Sequence, residues 1–224
     1  MSFDGWPPAM THFYAELEVN NTKEFWQANK TTYDESVRAP MEALVAELEE
    51  EFGTAKVFRP YRDVRFSTDK TPYKTEVSAV FMTGDTPAMS TSGLYVRANA
   101  DGLGAGGGCY QMASDQLARF RAAVEQQSLA DELRGLINDL EDAGFTVNST
   151  TLKTAPRGWS KDHPQIDLLR RKDITFMREA HVDTQPDLVH TARAKDFVAE
   201  TFRRGQPLVA WLDTHVGPTT KPRR

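Results

Sequence analysis

The segment from Phe58 to Lys74, FRPYRDVRFSTDKTPYK, holds the densest set of side chains that could do chemistry. A guanidinium group can hold a phosphate, sulfate or carboxylate by two parallel hydrogen bonds, and a lysine adds positive charge. A tyrosine in such a segment could stack on a base or sugar. The segment therefore predicts a site for an anionic small molecule, and the predicted ligand-binding residues are Arg59, Arg62, Arg65, Lys70, Tyr73 and Lys74.

Two acidic residues in the same segment, Asp63 and Asp69, are its candidates for catalysis. A carboxylate beside cationic groups can act as a general base in phosphoryl chemistry. The alternative is that both carboxylates pair with the arginines in a structural network that needs no ligand. From Lys56 to Lys74 there are six bases and two acids, so pairing inside the segment leaves a positive excess. Whether the protein is an enzyme stays open.

Two macromolecular partners compete with the small anion. The basic segment could present a flat face to an acidic protein, as an interaction module does. Nucleic acid is disfavoured, because the chain as a whole carries a net charge of -5 and binding to polyanions needs a positive surface. The same argument, with the lack of any run of about 18 apolar residues, predicts no membrane association. The oligomeric state is not predicted.

Neither a cofactor nor a metal is predicted. Gly102, Gly104 and Gly107 fit the spacing GxGxxG, but the next residues, CYQM, read as a strand where a dinucleotide site needs a helix. A turn or bulge is the prediction for this glycine run, and the alternative is a backbone that approaches a ligand or another strand closely. The five histidines are scattered, without the spacing of metal ligands. The single cysteine, Cys109, excludes an internal disulfide, and with no signal peptide at the N-terminus this predicts a cytoplasmic protein.

The elements that must position these residues predict an α+β fold, with a helical N-terminal part, a central and mostly antiparallel sheet, and helices packed on it from the middle and C-terminal part. Apolar spacing predicts a first helix from Pro8 to Glu18, a second capped by Thr22, and a third that begins at Pro40. The predicted strands are VFR, DVRF, TEVSAVFM, GLYVRAN and CYQM, with two further short strands around 145–147 and 175–182.

In the predicted strand DVRF, Asp63 and Arg65 would face away from the core while Val64 and Phe66 anchor it. The helices DQLARFRAAVEQQ and LADELRGLINDLEDA are predicted next, followed by two C-terminal helices, from about Pro186 to Arg204 and from Pro207 to His215. Residues 1–216 are predicted to form a single domain, and residues 217–224 a disordered basic tail.

Four stretches of the chain resemble a bacterial and fungal family known as domain of unknown function 2461: NNTKEFWQANKTTYDESVRAP, FRPYRDVRFSTDKTPYKT, GGGCY, and PRG with HPQIDLLRRK. The most distinctive pattern is RDxRFSxDKxPYK, which Arg62 to Lys74 satisfy. Gln27 stands where the family more often has an aromatic residue, which weakens any role for that position. The resemblance implies no reaction, cofactor or substrate. It does imply that residues 62–74 are the hallmark of the family, either as a site or as a structural element.

Overall fold

A computed structural model of the protein describes residues 2–65, 67–82 and 92–220. The described residues have an α+β fold, as the sequence predicts. Helices lie at both ends of the chain and in its middle, and the strands form one sheet. The helices are α1 (Ala9–Val19), α2 (Lys23–Ala28), α3 (Lys30–Thr32), α4 (Ala39–Phe52), α5 (Ser114–Val124), α6 (Gln127–Asp142), α7 (Ile166–Leu169) and α8 (Arg193–His215). The strands are β1 (Ala55–Val57), β2 (Glu76–Met82), β3 (Gly93–Asn99), β4 (Gly102–Cys109), β5 (Thr146–Asn148) and β6 (Ile174–His181).

The described strands make a six-stranded antiparallel sheet in the order β1-β2-β3-β4-β6-β5. At one edge β1 pairs with β2, with Val57 opposite Ala79. At the other edge β5 pairs with β6, with Val147 opposite Phe176. Both edge strands have three residues, which is a common way to limit unwanted pairing with other chains.

The chain folds into two compact units, neither of which is a continuous stretch of sequence. Unit 1 comprises Met1–Phe81, Tyr95–Ala105 and Glu179–Glu200, and unit 2 comprises Met82–Leu94, Gly106–Arg178 and Thr201–Arg224. The core of unit 1 is built mainly on α1 and α4, with Met10, Leu17, Met41 and Leu44 fully buried. The core of unit 2 includes Phe120, Leu133, Phe176, Phe202 and Leu212. The prediction of a single domain over residues 1–216 stays a prediction.

The N-terminal helices form largely as the sequence predicts. The Thr22 hydroxyl accepts a hydrogen bond from the backbone N–H of Phe25, which caps α2. Pro40 lies in the first turn of α4, where its missing N–H costs nothing. The difference lies before Pro40, where the helix does not break: the π-helical turn Tyr33–Arg38 joins α3 to α4. The carbonyl of Val37 in that turn accepts a hydrogen bond from the indole of Trp6.

The predicted turn or bulge at the glycine run is wrong. These residues form β4, which is buried along its whole length, and CYQM does not form the predicted strand of its own. The physical reason is close packing against β6. A Cβ atom at Gly102 or Gly106 would overlap the carbonyl oxygens of Ala180 and Phe176, respectively. Only glycine permits that approach.

The two predicted C-terminal helices are one. α8 runs from Arg193 to His215 with Pro207 inside it. Proline disfavours a helix interior because it lacks a donor, but the apolar positions on both sides of it are buried, including Phe202 and Leu208. Burial of this continuous apolar face keeps the helix intact.

The C-terminal segment after α8 contacts α5. The hydroxyl of Thr219 and the backbone N–H of Thr220 both donate to the carboxylate of Asp115. Residues 221–224 lie outside the described residues, so the predicted disorder of residues 217–224 stays a prediction. No helix in the described residues is long and apolar enough to cross a membrane.

Candidate functional site

The basic segment predicted as a site forms a long β-hairpin in unit 1. Its arms start as β1 and β2 and continue to an isolated bridge between Tyr61 and Tyr73. Beyond the bridge, the N–H of Arg62 donates to the carbonyl of Pro72 at 2.9 Å. Residues 62–72 are therefore the loop of the hairpin. The predicted strand at 63–66 is wrong for residues 63–65, and Phe66 lies outside the described residues.

The second arm of the hairpin bulges between Lys74 and Ser78, whose backbones pair with Pro60 and Phe58. Between the pair Val57–Ala79 and the pair Tyr61–Tyr73, residues 58–60 on the first arm lie opposite residues 74–78 on the second. The second arm therefore has two extra residues. Bulges of this kind redirect side chains and are common beside functional sites.

Local hydrogen bonds close the loop around Arg62 and Asp69. The Arg62 guanidinium donates to the carboxylate of Asp69 and to the hydroxyl of Thr71. Asp69 also accepts from the N–H and the hydroxyl of Thr71, both at 2.9 Å. These bonds, led by the one from the Thr71 N–H, lower the pKa of Asp69 to about 2. Arg62 and Asp69 thus satisfy one another within the loop.

A second ion pair occupies the exposed tip of the loop. Arg65 makes two side-chain hydrogen bonds to Asp63, from Nε at 2.9 Å and from Nη2 at 2.6 Å. Contact with Arg65 lowers the pKa of Asp63 to about 2. Lys70 donates to the backbone carbonyl of Val64 at 2.9 Å. The side chain of Arg65 is 77% exposed, so this pair lies in solvent.

The two remaining predicted ligand-binding cations, Arg59 and Lys74, have a different environment. Lys74 is half-buried, and its Nζ lies 4.7 Å from the centre of the Phe58 ring. Burial lowers the pKa of Lys74; Glu76 opposes that shift and Arg59 adds to it. No carboxylate of the described residues lies within 4 Å of either cation. The structure thus separates the predicted cations into a paired set in the loop and these two on the arms.

The hairpin is held against the N-terminal helices by Tyr73. Its backbone N–H and carbonyl both bond the side-chain amide of Asn21, at 3.1 and 3.0 Å. Its ring stacks on Trp26 with 4.2 Å between the ring centres and 6° between the planes. Only 5% of Tyr73 is exposed. Tyr73, predicted as a ligand-binding residue, is thus largely covered by α2.

Sequence reasoning missed a polar group centred on Glu76, the first residue of β2. The hydroxyl of Tyr95 donates to Glu76 at 2.7 Å, and Arg97 lies 3.5 Å from its other oxygen. Arg97 also donates to Glu179 at 2.8 Å. Gly104 lies beneath this contact, since a Cβ there would come within 2.5 Å of Glu179 Oε2. The four polar residues are separated in sequence, and the alternation of apolar and polar residues in GLYVRAN marks only Tyr95 and Arg97 as sharing one face of a strand.

Near Glu76 lies a buried hydroxyl with an unmet hydrogen bond. Tyr14 is 1% exposed, and its Oη has no hydrogen-bond partner among the described residues. Burial raises the pKa of Tyr14, and the nearby Tyr33 and Glu76 raise it further. Glu76 therefore influences the pKa of both Tyr14 and Lys74.

Two depressions of the described surface lie away from the hairpin residues: one of about 120 Å³ between α6 and α8, and one of about 460 Å³ beside α1 and α2. The predicted site for an anionic small molecule in this segment stays a prediction. No group of three or more His, Cys, Asp or Glu residues that could hold a metal occurs in the described parts of the chain.

Comparison with known proteins gives one result. Residues 9–211 match the family model described as a conserved hypothetical protein, DUF2461. The match covers the hairpin, the glycine strand β4 and most of α8. No curated protein matches the chain.

Proposed function

The chain belongs to the conserved hypothetical protein family DUF2461, and we propose that it binds a small phosphorylated or carboxylated molecule at Arg59 and Lys74. Of the six ligand-binding residues that the sequence predicts, the proposal keeps only Arg59 and Lys74. Arg62 and Arg65 are engaged by Asp69 and Asp63, and Lys70 by a backbone carbonyl. Arg59 and Lys74 have no such partner in the described residues, so they are the cations that a ligand could neutralise.

The observation that carries the proposal is the environment of Lys74. Removing an ammonium group from water is unfavourable, and proteins usually offset that cost with a carboxylate. Lys74 is half-buried on the Phe58 ring, and no carboxylate of the described residues lies within 4 Å of it. The charge of Glu76 favours its ionised form, but burial is the larger effect and lowers its pKa, and Arg59 adds to that lowering. A bound anion would relieve both effects at once. Its oxygens would accept hydrogen bonds from the ammonium and the guanidinium.

The paired residues of the loop support a different role for the rest of the segment. Arg62–Asp69 and Arg65–Asp63 are ion pairs between residues of the loop itself. A carboxylate with a pKa near 2 is a poor proton acceptor at neutral pH, which argues against Asp63 or Asp69 as a general base. We propose no reaction. A cytoplasmic location and a protein partner for the basic face stay untested predictions.

Thermal denaturation with added anions tests the proposal. The panel is phosphate, sulfate, sugar phosphates, nucleotides and dicarboxylates, each against wild type, Lys74→Met and Lys70→Met. A ligand at 100 times its dissociation constant adds about 2.7 kcal/mol, or about 5 to 10 °C for a chain of this size. We expect that rise in wild type and Lys70→Met, and its loss in Lys74→Met.

The variant is chosen to keep the fold. Methionine retains an apolar contact with Phe58 while removing the half-buried charge, so Lys74→Met without ligand should melt at or slightly above the wild-type temperature. Lys70 is the matched control because it is an exposed lysine of the same hairpin whose partner is a backbone carbonyl. Stabilisation that persists in Lys74→Met, or a panel with no response in wild type, would refute the proposed site.

A further inference from the structure

An open depression lies at the C-terminal end of α1, in unit 1, and none of its lining residues belongs to the hairpin. Its volume is about 460 Å³, and it is lined by Ala15, Glu16, Val19, Asn20 and Phe25. Small-molecule sites are concave and mostly apolar, with a few polar groups and volumes of about 300 to 1,000 Å³. The depression has that size, and three of its five lining side chains are apolar.

The apolar side chains of the depression are accessible to a ligand. Val19 is 91% exposed, which makes it the most exposed large apolar side chain of the described residues. Phe25 is half-buried, and its ring centre lies 5.9 Å from that of Phe13. A ligand with an apolar group would remove part of Val19 and Phe25 from water, which is favourable.

The polar side of the depression favours positive charge. Glu16 lines it, and no cation of the described residues lies within 4 Å of that carboxylate. The last turn of α1 has no basic residue, so the partial negative charge of the helix C-terminus is not offset there. The ring of Phe25 adds an electron-rich face, which attracts cations. The carboxylate, the helix end and the ring therefore all favour a cation at this depression.

We propose that the depression binds a small organic cation, in which an ammonium group is attached to an alkyl or aromatic group. The ammonium would donate hydrogen bonds to Glu16 and contact the Phe25 ring, and the apolar group would cover Val19. The single lining carboxylate matches a single positive charge. The proposed anion site at Arg59 and Lys74 takes a ligand of the opposite charge, so either proposal can fail without the other.

NMR titration with butylammonium, ammonium and 1-butanol separates the contribution of charge from that of apolar contact. The backbone amide signals of Val19, Asn20 and Phe25 report binding in the wild-type protein. Burial of two methylene groups adds about tenfold in affinity, and a charge-assisted hydrogen bond adds about tenfold as well. Butylammonium should therefore bind at least about tenfold more tightly than ammonium or 1-butanol.

Three variants test the residues assigned to the site. Glu16→Gln removes the charge with little change of shape and should weaken butylammonium binding about tenfold. Glu18→Gln is the matched control, because Glu18 is also an exposed glutamate of α1 but does not line the depression. It should bind as the wild type does. Phe25→Leu keeps an apolar side chain without the aromatic face and should weaken binding about two- to fivefold.

Equal affinity of the wild-type protein for butylammonium and 1-butanol would overturn the proposal, and this comparison needs no variant. Equal weakening in Glu16→Gln and Glu18→Gln would also overturn it, because a general effect of negative charge would then explain the binding. Analytical ultracentrifugation tests the other occupant, a second copy of the chain. A dimer that dissociates in Val19→Asp would show that the depression is an interface between copies, and would overturn the proposal as well.

Discussion

The side-chain amide of Asn21 and the backbone of Tyr73 exchange two hydrogen bonds, as the backbones of two paired strand residues do. The amide of Asn21 donates to the carbonyl of Tyr73 and accepts from its N–H, so one side chain supplies both partners of a strand backbone. Asn21 follows α1 and directly precedes the cap of α2. This reciprocal pair therefore fixes the hairpin to the turn between two helices of unit 1.

Replacing Asn21 should destabilise the protein through that pair. In Asn21→Ala the N–H and carbonyl of Tyr73 lose their partner in a partly buried place, and an unmet hydrogen bond of this kind costs about 1 to 3 kcal/mol. The measurement is the free energy of unfolding from urea denaturation. Asn20→Ala is the control, since among the described residues the exposed Asn20 side chain accepts a hydrogen bond from the Thr22 hydroxyl alone. Equal losses in both variants would contradict the assigned role.

The carboxyl of Asp69 should titrate well below its ordinary pKa. The Thr71 N–H, Arg62 and the Thr71 hydroxyl together lower that pKa from 3.8 to about 2 in the folded protein. Because the folded value is the lower one, the ionised group stabilises the fold above about pH 4, and that contribution is lost as the pH falls from about 4 to about 2. Carboxyl carbon NMR against pH measures the value directly.

In Arg62→Met the pKa of Asp69 should rise part of the way towards 3.8, because the bonds from Thr71 stay. Arg65→Met should instead raise the pKa of Asp63, whose main partner is Arg65. Titration of Asp69 near its ordinary value of 3.8 in the wild-type protein would show that the loop contacts do not form in solution.

Two glycine-to-alanine changes in unit 2 should have opposite effects. Gly106→Ala places a methyl group against the backbone carbonyl of Phe176 in the sheet, and we expect a loss of at least about 3 kcal/mol. Gly135 lies inside α6, and a Cβ atom there would meet nothing within 4 Å, so Gly135→Ala should add about 0.5 to 1 kcal/mol. Melting temperatures of the two variants measure both effects. Tolerance of alanine at Gly106 would mean that β4 and β6 are further apart than described.

Cys109 should be unreactive in the folded protein. It is 3% exposed, and burial, with the charges of Asp213 and Asp173, raises the pKa of its thiol to about 12. The reactive thiolate is therefore absent at ordinary pH. A thiol reagent at about pH 8, near the ordinary pKa of a thiol, should label it slowly in the native protein and rapidly in denaturant, where the chain's single cysteine becomes accessible. Rapid native labelling would place it at the surface.

Sequence periodicity predicts the elements that bury apolar side chains on one face, and these formed as expected. α1, α6 and β3 each have such a pattern. β4 could not be predicted in this way because the residues of its glycine run have no side chains to show a period. The sequence DVRF has the residue pattern of a strand. The carboxylates of Asp63 and Asp69 accept hydrogen bonds from the N–H groups of Arg65 and Thr71, and these local turns form in place of the strand.

The candidate site was predictable only in part. The hairpin residues are contiguous in sequence, so the high density of charged and aromatic side chains there predicted a site. Which of the cations would find partners depended on the geometry of the loop, because Arg62 meets Asp69 seven residues later. Glu76, Tyr95, Arg97 and Glu179 meet only through the pairing order of the strands, which no local pattern contains.

The discontinuous units have a consequence for biosynthesis. Unit 1 contains both Met1–Phe81 and Glu179–Glu200. The backbone N–H of Trp6, for example, donates to the carbonyl of Val189. A ribosome must therefore translate the chain as far as Glu200 before the N-terminal helices can acquire all their partners in unit 1. Until then their apolar surfaces stay exposed on the nascent chain, where chaperones that bind apolar segments can act.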